Sequence, residues 1–226
     1  MENKVIFWDF DGTLVKSNQS FLESLRCAME EAGAQAEDDC LMEFLRFACS
    51  WYHPEEGYPE AVGEQWWETL LSKADGFLCG LGIPSAKRRE ICRAFRENAV
   101  NYPYELYEDS VEVLRICREK GYHNYILSNN FPELSHSAAA LGLSELLDGC
   151  FLSSVLGWEK PRKEIFEQAR ALAGNPARCF MVGDNPEADI RGAAAAGIPA
   201  ILVHRDAPAP EAEYIFRNLR EIPDIL

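Results

Sequence analysis

The chain has 226 residues, 47% of them hydrophobic and 11% aromatic, which suits one large domain or two small ones and excludes a mini-protein held by staples. Acidic residues outnumber basic ones 37 to 22, and a formal charge of -15 argues against nucleic acid and anionic membrane as partners, since both are held by basic surfaces. The eight cysteines are scattered singly with no C-x-x-C pair, so free thiols in a reducing, cytoplasmic setting are expected. Only Lys4 precedes the first apolar run, which is too short for a signal peptide or a membrane span.

In chain order, the first element is a buried strand at Val5 to Trp8. From about residue 17 to residue 98 no strand is visible, and four helical stripes follow one another. They are Phe21, Leu22, Leu25, Met29 and Ala32, ending at Gly33; Leu41, Phe44, Leu45 and Ala48; Val62, Trp66 and Leu70; and Ile91, Phe95 and Ala99. A helix carrying Val111, Leu114 and Cys117 leads to a strand at Asn124 to Leu127, and a third strand follows at Cys150 to Leu152. Ile165, Phe166, Ala169 and Leu172 mark a helix before Gly174, and the fourth strand is Cys179 to Val182. Asn185-Pro186 opens an Ala-rich helix that Gly197 closes, ahead of a fifth strand at Ala200 to Val203. The alternation predicts an α/β fold, a doubly wound parallel sheet with helices on both faces. It is interrupted after the first strand by an α-helical bundle: 1–16 and 99–226 form the α/β domain and 17–98 the inserted one, with crossings near Lys16 to Asn18 and Asn98 to Leu106.

Ligands in open parallel sheets gather at the carboxyl ends of the strands. The first strand ends in Asp9-Phe10-Asp11-Gly12-Thr13, the second in Ser128-Asn129-Asn130, and the fourth in Gly183-Asp184 with Asp189 in the next helix. Lys160-Pro161 stands just before the helix that begins near Lys163. Singly, each has a bland explanation: a solvated turn, a helix cap, a surface lysine. Together they place four elements at one edge.

These segments, DFDGTLV, LSNN, EKP and GDNPEAD in this order, resemble the four motifs of the haloacid dehalogenase-like hydrolase superfamily, and the resemblance covers the whole chain, including the inserted helical cap of the first subclass. It implies a Rossmann-like sheet of order 5-4-1-2-3 and a phosphatase acting on a small phosphorylated metabolite through an aspartyl-phosphate. In that reading Asp9 is the nucleophile and Asp11 the general acid and base. Ser128, Asn129 and Lys160 hold the phosphoryl oxygens, and Asp189 orients metal waters or Lys160.

Four carboxylates beside a phosphate dianion repel by about 4 kcal/mol per unit pair at 4 Å and a dielectric near 20, so a divalent cation is required. Oxygen-only donors favour Mg²⁺ over zinc. The resemblance assigns it to the Asp9 and Asp184 carboxylates and the Asp11 carbonyl. Substrate choice is expected from the inserted domain, through Trp51, Tyr52 and His53 and less from Tyr58, Trp66 and Trp67. His123, His136 and His204 receive no role.

A phosphomutase using the same intermediate is the alternative. A dehalogenase pattern lacks the second acid, a phosphonatase needs a Schiff-base lysine for which no lysine of the inserted domain is nominated, so that reading stays open but unsupported, and a phosphoacceptor receiver domain would lack both Asp11 and the bundle. One departure is Lys16, where many capped relatives carry an acidic residue; it falls at the crossing between the two parts.

Overall fold

The computed structural model describes residues 2–16, 19–205 and 207–226. Its elements begin with β1 (Lys4–Trp8), followed by four helices, α1 (Ser20–Glu31), α2 (Asp38–Ala48), α3 (Glu64–Gly80) and α4 (Ser85–Val100). Then come α5 (Ser110–Glu119), β2 (Tyr122–Ser128), α6 (Leu134–Ala140), β3 (Gly149–Leu152), α7 (Ser153–Leu156), α8 (Lys163–Leu172) and β4 (Arg178–Gly183). A π-helical stretch, Pro186–Arg191, runs into α9 (Gly192–Ala195) and is followed by β5 (Ala200–Val203), β6 (Tyr214–Phe216) and a final 3₁₀ segment, Leu219–Ile225.

Six strands form one parallel sheet in the order β3-β2-β1-β4-β5-β6. The expected order 5-4-1-2-3 is present, and β6 extends it by one edge strand. Side chains alternate across a strand, and β1 shows the result: Val5 and Phe7 pack with Ile165, Phe166 and Ala193 on one face, Ile6 and Trp8 with Leu114, Ile126 and Leu219 on the other. Both faces are covered, as an all-parallel sheet requires.

The register fixes the site. Trp8 is level with Ile126 on one side and Val182 on the other, so Asp9, Leu127 and Gly183 stand in line at the next step. Ser128 and Asp184 follow one residue on, at the same edge of the sheet.

The four inserted helices bury the predicted stripes, with Leu25, Met29, Leu41, Phe44, Leu70, Ile91 and Phe95 at most 4% exposed. Val62 lies ahead of α3 rather than within it, and Leu172, at the end of α8, is 62% exposed and outside the core. The helices do not close a core of their own. Phe21, Trp67 and Phe95 belong to the same continuous cluster as Ile6, Trp8 and Ile126. Phe131, just beyond β2, joins them, its ring 6.0 Å from Phe21 and 5.9 Å from Trp67. The first expected crossing falls partly on Ser17 and Asn18, which lie outside the described residues, and α4 continues two residues past position 98.

Candidate active site

Beyond β1 the backbone turns back on itself: Gly12 N–H donates to Val15 O (2.8 Å) and Val15 N–H to Phe10 O (3.1 Å). The turn needs glycine at position 12, where φ is +78° and a Cβ would stand 2.6 Å from Asp184 Oδ2. Gly183 is needed for a similar reason, since a Cβ there would run into the Asp189 carboxylate. Two backbone segments can therefore approach two acids more closely than any side chain would allow.

Asp9 is 8% exposed; its N–H donates to Val182 O (2.8 Å), and its Oδ1 lies 2.8 Å from Lys160 Nζ. Lys160, 2% exposed, also meets Asp189 Oδ1 at 2.5 Å. Burial alone would lower the lysine's pKa, but Asp189 and Asp9 outweigh it and raise it. Asp189 is wholly buried, and its second oxygen accepts from Asn185 N–H (3.0 Å). The Asn185 side chain in turn caps the following helix by accepting from Glu187 N–H and Ala188 N–H, both at 3.0 Å.

Asn129 is tied to the same lysine through its backbone. Its Nδ2 donates to Lys160 O (3.0 Å) and its Oδ1 accepts from Lys160 N–H (2.7 Å). The amide side chain anticipated for phosphate thus clamps the peptide of the lysine. Ser128 is 1% exposed and lines the same cavity.

Asp11 accepts from Asn130 Nδ2 at 2.6 Å, and its Oδ1 is buried with no partner among the described residues. Burial first and the Asp9 charge second push its carboxyl up to about 8. Asp184, also raised by burial and by Asp9, is met by Arg205 through Nε (3.0 Å) and Nη2 (2.7 Å). Asn130 belongs to the Ser128-Asn129-Asn130 run at the end of β2, with no individual role expected of it, whereas Arg205 falls in none of the four sequence segments. Arg205 stands two residues past β5, at the strand edge where the other site residues were sought.

The ligand oxygens of Asp9, Asp184 and Asp189 lie within 4.8 Å of one another. Asp189 is the poorest donor of the three, because Lys160 and Asn185 already engage both of its oxygens. The all-oxygen donor set of Asp9 and Asp184 fits a hard divalent cation.

These residues open onto one cavity of about 620 Å³ between the sheet edge and the inserted helices. Asp9, Asp11, Ser128, Asn129, Lys160 and Asp184 line it, and so do Trp51 and Tyr52 from the 3₁₀ turn Ser50–Tyr52. His53 does not: its Nε2 meets Arg46 O at 2.9 Å, and it lines a separate pocket with Thr69 and Lys73. Trp66 and Trp67 are 5% and 0% exposed and belong to the core, Trp67 Nε1 donating to Glu133 at 2.8 Å. His204 bonds Thr13 O (3.1 Å) and stacks on Tyr107 at 3.9 Å, outside the cavity lining.

A family model for haloacid dehalogenase-like hydrolases matches residues 3–197. The human haloacid dehalogenase-like hydrolase domain-containing protein 3 is 26% identical over 208 residues, 90% of this chain and 82% of that protein. A phosphoserine phosphatase of Thermus thermophilus is 33% identical over 147 residues, 62% of this chain and 58% of the other. In fold, the chain is similar to the HAD-hydrolase YfnB of Bacillus subtilis, a structure with bound magnesium, at a TM-score of 0.75 and 18% identity across 100% of this chain and 98% of that one. With the family match running from before β1 to Gly197 and taking in every acid, the lysine and the asparagine clamp of this cleft, the chain belongs to the haloacid dehalogenase-like hydrolases.

Proposed function

We propose that the chain is a Mg²⁺-dependent phosphatase that hydrolyses a small phosphorylated metabolite through an aspartyl-phosphate on Asp9. The observation that carries this is the setting of Asp9: a buried carboxylate at the end of the central strand, 2.8 Å from a lysine and open to a cavity that also receives Asp11 and Asp184. The phosphatase activity named for the Thermus relative supports the same reaction class.

An Asp9 oxygen attacks phosphorus as the ester oxygen leaves, and Asp11 gives that oxygen its proton. Asp11, now ionised, takes a proton from the water that opens the acyl phosphate, which restores both acids and releases phosphate. Asn130 fixes the Asp11 carboxyl from the side, and Lys160 supplies positive charge toward the phosphoryl oxygens. The carboxylates of Asp9 and Asp184 and the Asp11 carbonyl would hold the cation, which supplies the charge neutralisation that lets two anions meet. Residues 17–98 act as a cap whose closure keeps bulk water out.

Phosphate release from a panel of phosphomonoesters, with Mg²⁺ and with EDTA, tests the reading. Chelation should abolish turnover, Asp9→Asn should bring it to background, and Asp11→Asn should lower kcat by roughly 10² to 10⁴. Turnover at the wild-type rate in Asp9→Asn would sink the proposal.

A further inference from the structure

The two walls of the cavity differ in kind. Every charged group lining it comes from the sheet edge: Asp9, Asp11, Asp184 and Glu187 against Lys160 and Arg205. Both cations already face carboxylates, Lys160 between Asp9 and Asp189 and Arg205 through two N–H groups on Asp184. The helical wall presents Phe21, Leu22, Met42, Leu45, Trp51 and Tyr52 together with the neutral polar Gln19 and Ser20, and no Lys, Arg or His among the described residues lies on it. A second anionic group on a substrate, a carboxylate or another phosphate, would meet this wall with no cation to offset its desolvation, next to a net surplus of acid.

What the wall does offer is flat surface. The Trp51 ring is fixed from two sides, edge-on to Phe21 at 4.8 Å and near-parallel to Trp66 at 6.1 Å. Trp66 is itself held by Nε1 donating to Ser50 Oγ at 3.1 Å. Beside it Tyr52 is 44% exposed, its ring 6.3 Å from that of Trp51. Rigid aromatic side chains lose little freedom on binding a ring. The cavity, about 620 Å³, falls in the range that encloses a drug-sized ligand. A three-carbon acid would leave most of it to water.

We propose that the substrate is a phosphomonoester of an uncharged alcohol bearing a flat ring, a nucleoside monophosphate in type, and that Trp51 and Tyr52 receive the ring. This rests on the phosphatase reading above and narrows it to a substrate class.

Three esters separate the possibilities: uridine 5′-monophosphate, ribose 5-phosphate, which carries the same ester on a ribose 5-hydroxyl without the base, and phosphoserine, which carries a carboxylate. At saturating Mg²⁺, kcat/KM should be highest for the nucleotide and roughly 100-fold lower for phosphoserine. Trp51→Ala should raise KM for the nucleotide about tenfold more than for ribose 5-phosphate, an effect of lost stacking and not of general damage. Met42→Arg, which puts a cation on the apolar wall, should shift selectivity toward phosphoserine. Phosphoserine turned over as well as the nucleotide, or equal effects of Trp51→Ala on both sugar esters, would overturn the substrate class and leave the phosphatase reading standing. Release from none of the three, nor from a wider panel, would overturn both.

Discussion

At the scale of the residue, two ion pairs in the cleft have very different expected worth. Lys160 and Asp189 are 2% and 0% exposed, and removing Asp189 leaves the buried lysine on Asp9 alone and the Asn185 N–H without its acceptor. Asp189→Ala should therefore destabilise the fold by about 1–3 kcal/mol, read from urea unfolding. The Arg205 side chain is half exposed, so its pair with Asp184 is screened by water; Arg205→Ala should cost under about 1 kcal/mol in the same experiment. Exposure also explains what the sequence could show. Asp9, Asp11, Ser128 and Asp184 follow directly on apolar strand runs, and strand ends are visible as a change of texture. Arg205 is a single arginine in a loop whose partner lies 21 positions away, and nothing local marks it. His53 follows Trp51 and Tyr52 in the chain, and sequence adjacency alone groups the three. The 3₁₀ turn ends at Tyr52, and His53 beyond it leaves the turn and bonds Arg46 O at 2.9 Å instead of lining the cleft. Asn129 is expected from the sequence at the phosphate, and its side chain makes both of its hydrogen bonds to a peptide 31 residues on, a long-range pairing with no local trace.

At the scale of the element, the inserted helices meet the α/β part at two places with opposite character. One is charged and wet. Lys16 Nζ reaches Glu105 at 2.6 Å and Glu108 at 2.8 Å, and its N–H donates to Glu105 O at 2.9 Å, so it ties together the two chain segments that cross between the parts. An acidic residue at this position would repel both glutamates. Lys16→Glu should loosen the crossing, measured as faster limited proteolysis near residues 100–108 with little change in global stability. The other contact is buried. Glu159, fully buried next to Lys160, accepts from Ser50 Oγ at 2.5 Å and from the Tyr58 hydroxyl, while Tyr58 N–H donates to Gly157 O at 2.9 Å. Burial holds the Glu159 carboxyl above its ordinary value of 4.5, although Ser50, Tyr58, Ser153 and Lys160 all pull it down. The Cys49 thiol and the Tyr58 hydroxyl, the other titratable groups against it, are themselves raised by burial. A folded chain that keeps a proton the unfolded chain gives up loses stability as pH rises above that ordinary value. Glu159→Gln never ionises, so its urea midpoint should vary less between pH 4.5 and pH 8 than that of the wild type. A midpoint that falls in parallel with the wild type would remove Glu159 as the cause.

At the scale of the whole molecule, the division into two parts by chain order is not a division of the core. The apolar stripes of the inserted segment were legible because 3.6-residue periodicity survives in any buried helix, and periodicity does not reveal what the helix packs against. Phe21, Trp67 and Phe95 share one cluster with Ile6 and Trp8 of the sheet. Unfolding should therefore be a single cooperative transition, with tryptophan fluorescence, which reports Trp51, Trp66 and Trp67 on the helical side and Trp8 and Trp158 in the α/β part, coincident with far-ultraviolet circular dichroism. Two separated midpoints would show that the helices melt alone. The sixth strand, Tyr214–Phe216, lies outside the strand–helix alternation that marks the other five, since no helix among the described residues separates it from β5, and its Ile215 is 51% exposed at the rim. The shortness of this strand has its own consequence. With β3 four residues long and β6 three, the two rims of the sheet offer an incoming strand almost no free peptide ladder to zip onto, and the longer β1, β2 and β4 lie inside. A concentrated solution of the folded chain should resist fibril formation by edge-to-edge polymerisation, its -15 charge adding mutual repulsion between copies.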